Sequence, residues 1–221
     1  MSKEAKTLLR YTWIMFGLFL MANGVIFLLR AHLGVSPWDV LHVGIANRTG
    51  LSIGRVIQII GLVVVLISWV FNVRPQLVTL LNMFFIGVFV DAVNSMSYIP
   101  EPQALWLRFG SYVFGVAVFS LGTALYISGN RGAGPRDSLM LALTRVTKVR
   151  VGIVRTVLEV MVALGGYLLG GPLGIGTVLF ALLVGVFLEL SFTLLQRVKT
   201  WPFFQTLWYE VSSTPAMFKR D

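Results

Sequence analysis

Apolar residues run along this chain in long blocks with no polar residue at every second place, so helices rather than strands are predicted. Six stretches are long and apolar enough to cross a bilayer, which takes about 20 helical residues. They are 11–29, 52–71, 76–96, 109–128, 151–169 and 174–195. Short turns bearing glycine, proline or charge separate them. Two segments, 36–47 and 134–146, break the pattern because each is too short to span. In the first, Ser36 stands at the N-cap, Pro37 at the first helical position and Asp39 at the third. Gly134, Pro135 and Asp137 repeat that arrangement with glycine as the cap. Both therefore predict short helices, re-entrant or interfacial. A re-entrant helix is tolerated only where it is buried in protein or lines a cavity. Lys3, Lys6 and Arg10 precede the first block as in a signal peptide. Its apolar core is too long and no A-x-A site follows, so a retained first span is expected.

The same pattern occurs twice. Moved along by 98 residues, the chain matches itself without a gap: Gly34, Pro37 and Asp39 fall on Gly132, Pro135 and Asp137. The register continues with Thr49 on Thr147, Gly54 on Gly152, Thr79 on Thr177, Gly87 on Gly185 and Asp91 on Glu189. Upstream, Gly17 falls on Gly115 and Gly24 on Gly122. Each copy carries three spans, an odd number, so the second crosses the membrane in the opposite sense. The expected fold is an all-α polytopic membrane protein of two inverted repeats. Each has three transmembrane helices and one short re-entrant or interfacial helix, as in secondary transporters. With both termini in the cytoplasm, 14 of the 18 Lys and Arg residues fall inside; Arg30, Arg48, Arg55 and Arg108 fall outside. That is the positive-inside bias. The organisation reads as a cytoplasmic tail at 1–10, repeat one at 11–97, a linker at 98–108, repeat two at 109–195 and an aromatic interfacial tail at 196–221.

Composition agrees. Hydrophobic residues make up 57% and charged residues 12%, against about 25% charged in soluble domains. This excludes an ordinary soluble enzyme, a disordered chain and a disulfide scaffold. The net charge of +9 lies between the spans rather than in one stripe, so no nucleic-acid partner is expected. With no cysteine, thiolate metal sites and cysteine nucleophiles are excluded.

The segments at 34–39, 50–54 and 132–140, with Val154, Arg155 and Glu159 and the run 170–177, resemble the YczE/YyaS-type bacterial integral membrane proteins, distantly similar to the YitT group. The resemblance covers roughly residues 11–195. It implies a bacterial inner-membrane location and no particular activity. No counterpart of the soluble C-terminal domain of many YitT-like proteins is expected, so that domain's role is not carried over.

Each ionisable residue within so apolar a chain has a structural and a functional reading. Asp39 and Asp137 cap backbone N–H groups, or form a central carboxylate pair for proton or cation coupling. Arg155 and Glu159 form a structural pair one turn apart, or lie on a polar path. Glu159 has Gly61 as its repeat equivalent, so this acid is not duplicated. Asp91 and Glu189 face an internal cavity or a hydrated interface. Asn23, Gln58, Asn82 and Asn94 line a cavity or join helices. The turn 129–134, with Arg131 and Arg136, is either an anion cradle or a turn needing glycine dihedrals. It lacks the G-K-[ST] ending of a phosphate loop. His42 follows Asp39 by one turn; with His32 the only other histidine, no metal site is expected. The glycines at 165, 166, 170, 171, 174 and 176 serve packing or a hinge.

The reading expected from these features is a small-solute secondary transporter, with Asp39, Asp137 or Glu159 carrying a coupling proton. Acids beside both helix ends argue for a neutral or zwitterionic solute. The alternative is a membrane accessory protein docking through its aromatic tail. No H-E-x-x-H, G-x-S-x-G or cysteine is present, so an enzyme is not expected. The expected partners are the lipid bilayer and a small solute; a homo-oligomer stays open. No cofactor is expected.

Overall fold

The computed structural model describes residues 3–73, 75–128 and 134–198. Among them the chain forms eight helices and no strand: α1 (Lys3–Arg30), α2 (Pro37–Thr49), α3 (Ile53–Val70), α4 (Leu77–Met96), α5 (Leu105–Ser128), α6 (Pro135–Thr147), α7 (Val151–Leu168) and α8 (Ile175–Val198). Six of these, all but α2 and α6, are long and apolar enough to cross a membrane. The helix bounds follow the repeat. α2 and α6 start and end at equivalent positions, as do α3 and α7.

Two helix starts differ from the sequence expectation by four residues or more. α1 already begins at Lys3, so residues 3–10 continue the first span as helix. α5 begins at Leu105 rather than 109. Arg108, which suggests a span end, instead folds its guanidinium back to donate to the Ala31 (2.7 Å) and His32 carbonyls at the end of α1. A cation on terminal carbonyls of another helix is favourable and leaves α5 free to extend. Arg30 does the same for the Ile99 and Asn94 carbonyls.

The core is built on α1 and α5. A methyl group added to Gly17 would meet the Gly122 carbonyl at 2.9 Å, and one added to Gly24 would lie 2.7 Å from the Phe119 Cα. One added to Gly115 would approach the Gly24 carbonyl at 3.3 Å. The two helices therefore run in opposite directions with their backbones nearly touching, which small residues allow. Ala22, Val25, Ile26, Val116 and Phe119 fill the space around that crossing, and Phe180 of α8 packs edge-on against Phe119 at 5.3 Å. α4 flanks α1, and α8 flanks α5.

The short helices are inserted elements. α2 buries Trp38, Asp39, Val40, His42, Gly44 and Ala46. It packs on α7 and the turn after it, where a methyl group on Gly44 would lie 2.4 Å from the Gly166 carbonyl, and one on Gly171 2.0 Å from the Val40 carbonyl. α6 packs correspondingly on α3. One pairing departs from this correspondence. α3 lies along α4, whereas α7 makes no comparable packing with α8.

Candidate functional site

α2 begins as its sequence predicts. Ser36 is extended at the N-cap and its Oγ accepts the Asp39 backbone N–H at 3.3 Å. The Ser36 hydroxyl donates to Asp39 Oδ2 at 2.5 Å. His42, one turn on, places Nδ1 3.1 Å from Asp39 Oδ1. Arg136 arrives from α6, 3.6 Å from the same oxygen, and lies 5.2 Å from the centre of the Trp38 ring. The Asp39 residue is 1% exposed. Burial alone would push its carboxyl up, but His42, Arg136 and Ser36 together outweigh that and hold it below its ordinary value. His42 is held below its ordinary value, first by burial and then by the Arg136 charge, with Asp39 opposing. A neutral imidazole donating Nδ1–H to Asp39 satisfies both.

Asp137 has the same place on α6 and a different environment. Gly134, its cap, has no side chain to offer a hydroxyl. Burial pushes the Asp137 carboxyl above its ordinary value, with Arg155, Arg136 and the Gly134 backbone opposing only in part. The Tyr126 hydroxyl lies close to Gly134. Two repeat-equivalent acids are thus driven apart, one toward the charged form and one toward the neutral form, as in acid–base pairs with divided roles.

The two helix starts face one cavity of about 200 Å3. Ser36, Pro37 and Trp38 line it from one side, and Gly134, Pro135, Arg136 and Asp137 from the other. α7 contributes Arg155 and Glu159, paired at 3.0 Å. His42 and Asn82 add polar atoms, while Met21, Ile86, Phe119 and Phe180 supply apolar wall. Arg136 is paired with Asp39 and Arg155 with Glu159. Asp137 has no ion pair among the described residues, leaving one carboxyl beyond the matched charges. The N-terminus of α2 is already occupied by Ser36 and Asp39, which argues against an anion there.

The structure therefore brings together Asp39, His42, Arg136, Asp137, Arg155 and Glu159. It places Asp91 and Glu189 elsewhere. Asp91 caps α3, accepting the Gly54 backbone N–H at 2.8 Å and the Ser52 hydroxyl at 2.5 Å. Glu189 is exposed on α8. Gln58 joins α3 to the Phe84 carbonyl of α4 at 2.9 Å. Asn23 donates to the Phe19 carbonyl at 2.8 Å and accepts from Tyr98. Trp38 and Tyr126 belong to the site yet stand out in the sequence only as two aromatics among many; Trp38's place beside Pro37 and Asp39 was the available signal. The turn at 129–133 with Arg131, and the tail beyond 198, lie outside the described residues.

Among the described residues, no cluster of His, Asp and Glu of metal-binding size occurs. No solved structure matches the chain. It is 38% identical to the uncharacterized membrane protein YczE of Bacillus subtilis, over 85% of this chain and 87% of that protein. An uncharacterized protein of Haemophilus influenzae is 34% identical over 86% of each chain. The Bacillus subtilis protein YyaS is 25% identical over 86% of this chain and 95% of its own. Residues 8–192 match one family model, and with these membrane relatives and six apolar helices the chain belongs to the family of unknown function DUF6198, as a multi-pass membrane protein.

Proposed function

We propose that the protein is a secondary transporter of a small solute, working by alternating access between two inverted repeats in the bacterial inner membrane. The observation that carries this reading is the cavity between the starts of α2 and α6. Trp38 and Arg136 are equivalent residues of the two copies, and they meet there at 5.2 Å. Equivalent residues can touch only at an axis relating the copies, so the site sits where a pseudo-twofold axis would pass. Solute and ion sites of inverted-repeat transporters lie at such a junction, on helix ends. The antiparallel crossing of α1 and α5 supports the same arrangement.

The cavity chemistry supports a class of solute. Apolar walls suit a small hydrocarbon body. The unmatched Asp137 suits either a proton or one cationic or hydrogen-bond-donating group, and exchange of one for the other would couple solute movement to a proton. Arg155 and Glu159 would keep the cavity wet without adding net charge. A zwitterionic solute presenting an ammonium group, or a neutral one presenting a hydrogen-bond donor, fits both features.

The test is uptake into proteoliposomes under an imposed pH gradient, with a panel of small radiolabelled amines and amino acids. Accumulation of at least one class, lost in Asp137→Asn at unchanged reconstitution yield, is expected. If no member accumulates and none raises the thermal midpoint of the purified protein, the transporter reading fails.

A further inference from the structure

The cavity is lined by equivalent residues from both repeats, yet its two walls are built differently. On one side, Ile57, Ile60 and Gly61 of α3 and Asn82 and Ile86 of α4 line it, and those helices are sealed together. A methyl group on Gly54 would lie 2.1 Å from the Gly87 carbonyl, and one on Gly87 2.4 Å from the Gly54 carbonyl. Asp91 fastens that seam by accepting the Gly54 N–H and the Ser52 hydroxyl. On the other side, the equivalent positions Arg155, Leu158 and Glu159 of α7 and Phe180 and Val184 of α8 line the same cavity. Here α7 and α8 do not close on each other. Among the described residues, Gly152 and Gly185, the equivalents of Gly54 and Gly87, have nothing within 4 Å of an added methyl group. Glu189, the equivalent of Asp91, is exposed, with no side-chain hydrogen bond or ion pair among the described residues. The N-terminus of α7 has no side-chain cap.

An open seam carrying the glycines and the acid of a closed one, with Arg150 where the closed one has Ser52, calls for an explanation. A carboxylate left without a partner on a transmembrane helix is costly, and a glycine with no neighbour in a helix is unfavourable relative to alanine. We propose that the gap between α7 and α8 is the mouth of the cavity, and that a second conformation closes it. Gly152 then packs on Gly185, and Glu189 accepts the Gly152 N–H as Asp91 accepts that of Gly54. Opening of the α3–α4 seam in exchange turns the cavity to the other side of the membrane. With the termini in the cytoplasm, the conformation described here is open inward. This deepens the transporter reading and rests on it for its sidedness.

The natural absence of cysteine permits a direct test in native membranes with a short bismaleimide. Gln58→Cys with Phe84→Cys reports the α3–α4 seam, whose two residues are already in contact. Thr156→Cys with Leu182→Cys stands at the equivalent positions on α7 and α8, both exposed. Intramolecular cross-linking of both pairs is expected. Adding Gly185→Leu, whose Cβ meets no described atom within 4 Å, abolishes cross-linking of the second pair alone, and Glu189→Ala lowers it. The proposal is overturned if the 156/182 pair never cross-links where 58/84 does. It is also overturned if that product joins two copies of the chain, or if it survives Gly185→Leu and Glu189→Ala. The assay needs no solute. A seam that closes without measurable flux would sink the transporter reading only; flux without closure would sink this one.

Discussion

Arg136 of α6 lies over the ring of Trp38 of α2, 5.2 Å from its centre, and reaches Asp39 at 3.6 Å. One side chain from the second copy thus satisfies both an aromatic face and a buried acid of the first. A guanidinium suits this double contact because it is planar and weakly hydrated. The reciprocal arrangement is impossible, since the position equivalent to Arg136 is Trp38 itself. Asp137 is left without such a cation, and this difference, with Gly134 in place of the Ser36 cap and Met140 in place of His42, separates the environments of the two equivalent acids.

Removal of Arg136 should therefore be felt through Asp39. An acid that keeps its burial and loses its cation is destabilising, by as much as about 3–5 kcal/mol for a fully buried pair. The Arg136 side chain is 36% exposed, so solvent already screens part of the attraction, and about 1–2 kcal/mol is expected. Arg136→Ala should lower the thermal midpoint in detergent, and Arg136→Ala with Asp39→Asn should recover most of the loss. A double variant no more stable than the single one would mean that the Asp39 charge is not what Arg136 balances.

Opposite directions at Asp39 and Asp137 imply opposite pH behaviour. Asp137 lies above its ordinary value near 3.8, so its contribution to stability is full below that value and is lost as pH rises through the folded-state value. Asp39 lies below its ordinary value. Its contribution is present above 3.8 and is lost as pH falls through the folded-state value. Asp137→Asn should accordingly match the parent protein at acid pH and equal or exceed it at neutral pH. Asp39→Asn should be less stable at neutral pH and converge with the parent in acid. Thermal midpoints measured across a pH series from acid to neutral check both curves.

The glycine seams separate repeat-equivalent substitutions. Gly54→Ala forces a methyl group to 2.1 Å from the Gly87 carbonyl, and overpacking of that kind costs about 1–3 kcal/mol. Gly152→Ala meets no atom within 4 Å and gains helix propensity of up to about 1 kcal/mol. Thermal unfolding of the two variants should shift in opposite directions. Equal destabilisation would indicate that the α7–α8 side is normally closed.

Much of the architecture is legible in the residues because a bilayer imposes so few solutions. Blocks of about 20 apolar residues must be helices, and the expected spans 52–71 and 76–96 differ from α3 and α4 by a residue or less at each end. Ser36, Pro37 and Asp39 announce α2 through local hydrogen bonding alone. Less can be read of the site. Spans are apolar on every face, so periodicity does not tell which face of α5 turns Thr123 and Tyr126 inward. Asp91 gives no local sign that it caps a helix 37 residues upstream at Gly54. The open side of the cavity is invisible too, because Gly152 and Gly185 carry the same residues as the closed seam. What differs there is packing, which no motif records.

Chemical labelling at Thr49 and Thr147 tests the sidedness of the repeats. These residues end α2 and α6 at equivalent positions, both are exposed, and each hydroxyl bonds only carbonyl or amide groups of its own helix end. Cysteine at either should therefore leave the fold intact, at a cost of under about 1 kcal/mol. The inverted-repeat reading puts them on opposite sides, and the charge distribution favours it. The segment around Thr49 carries Arg48 and Arg55, whereas that around Thr147 carries Arg145, Lys148, Arg150 and Arg155. Basic residues are retained in the cytoplasm. A membrane-impermeant maleimide applied to intact cells should label Thr49→Cys, and should label Thr147→Cys only after permeabilisation. Labelling of both from one side would mean that α2 and α6 end on the same face of the membrane, so that the short helices count as spans or the six-span topology is wrong, and would end the alternating-access argument.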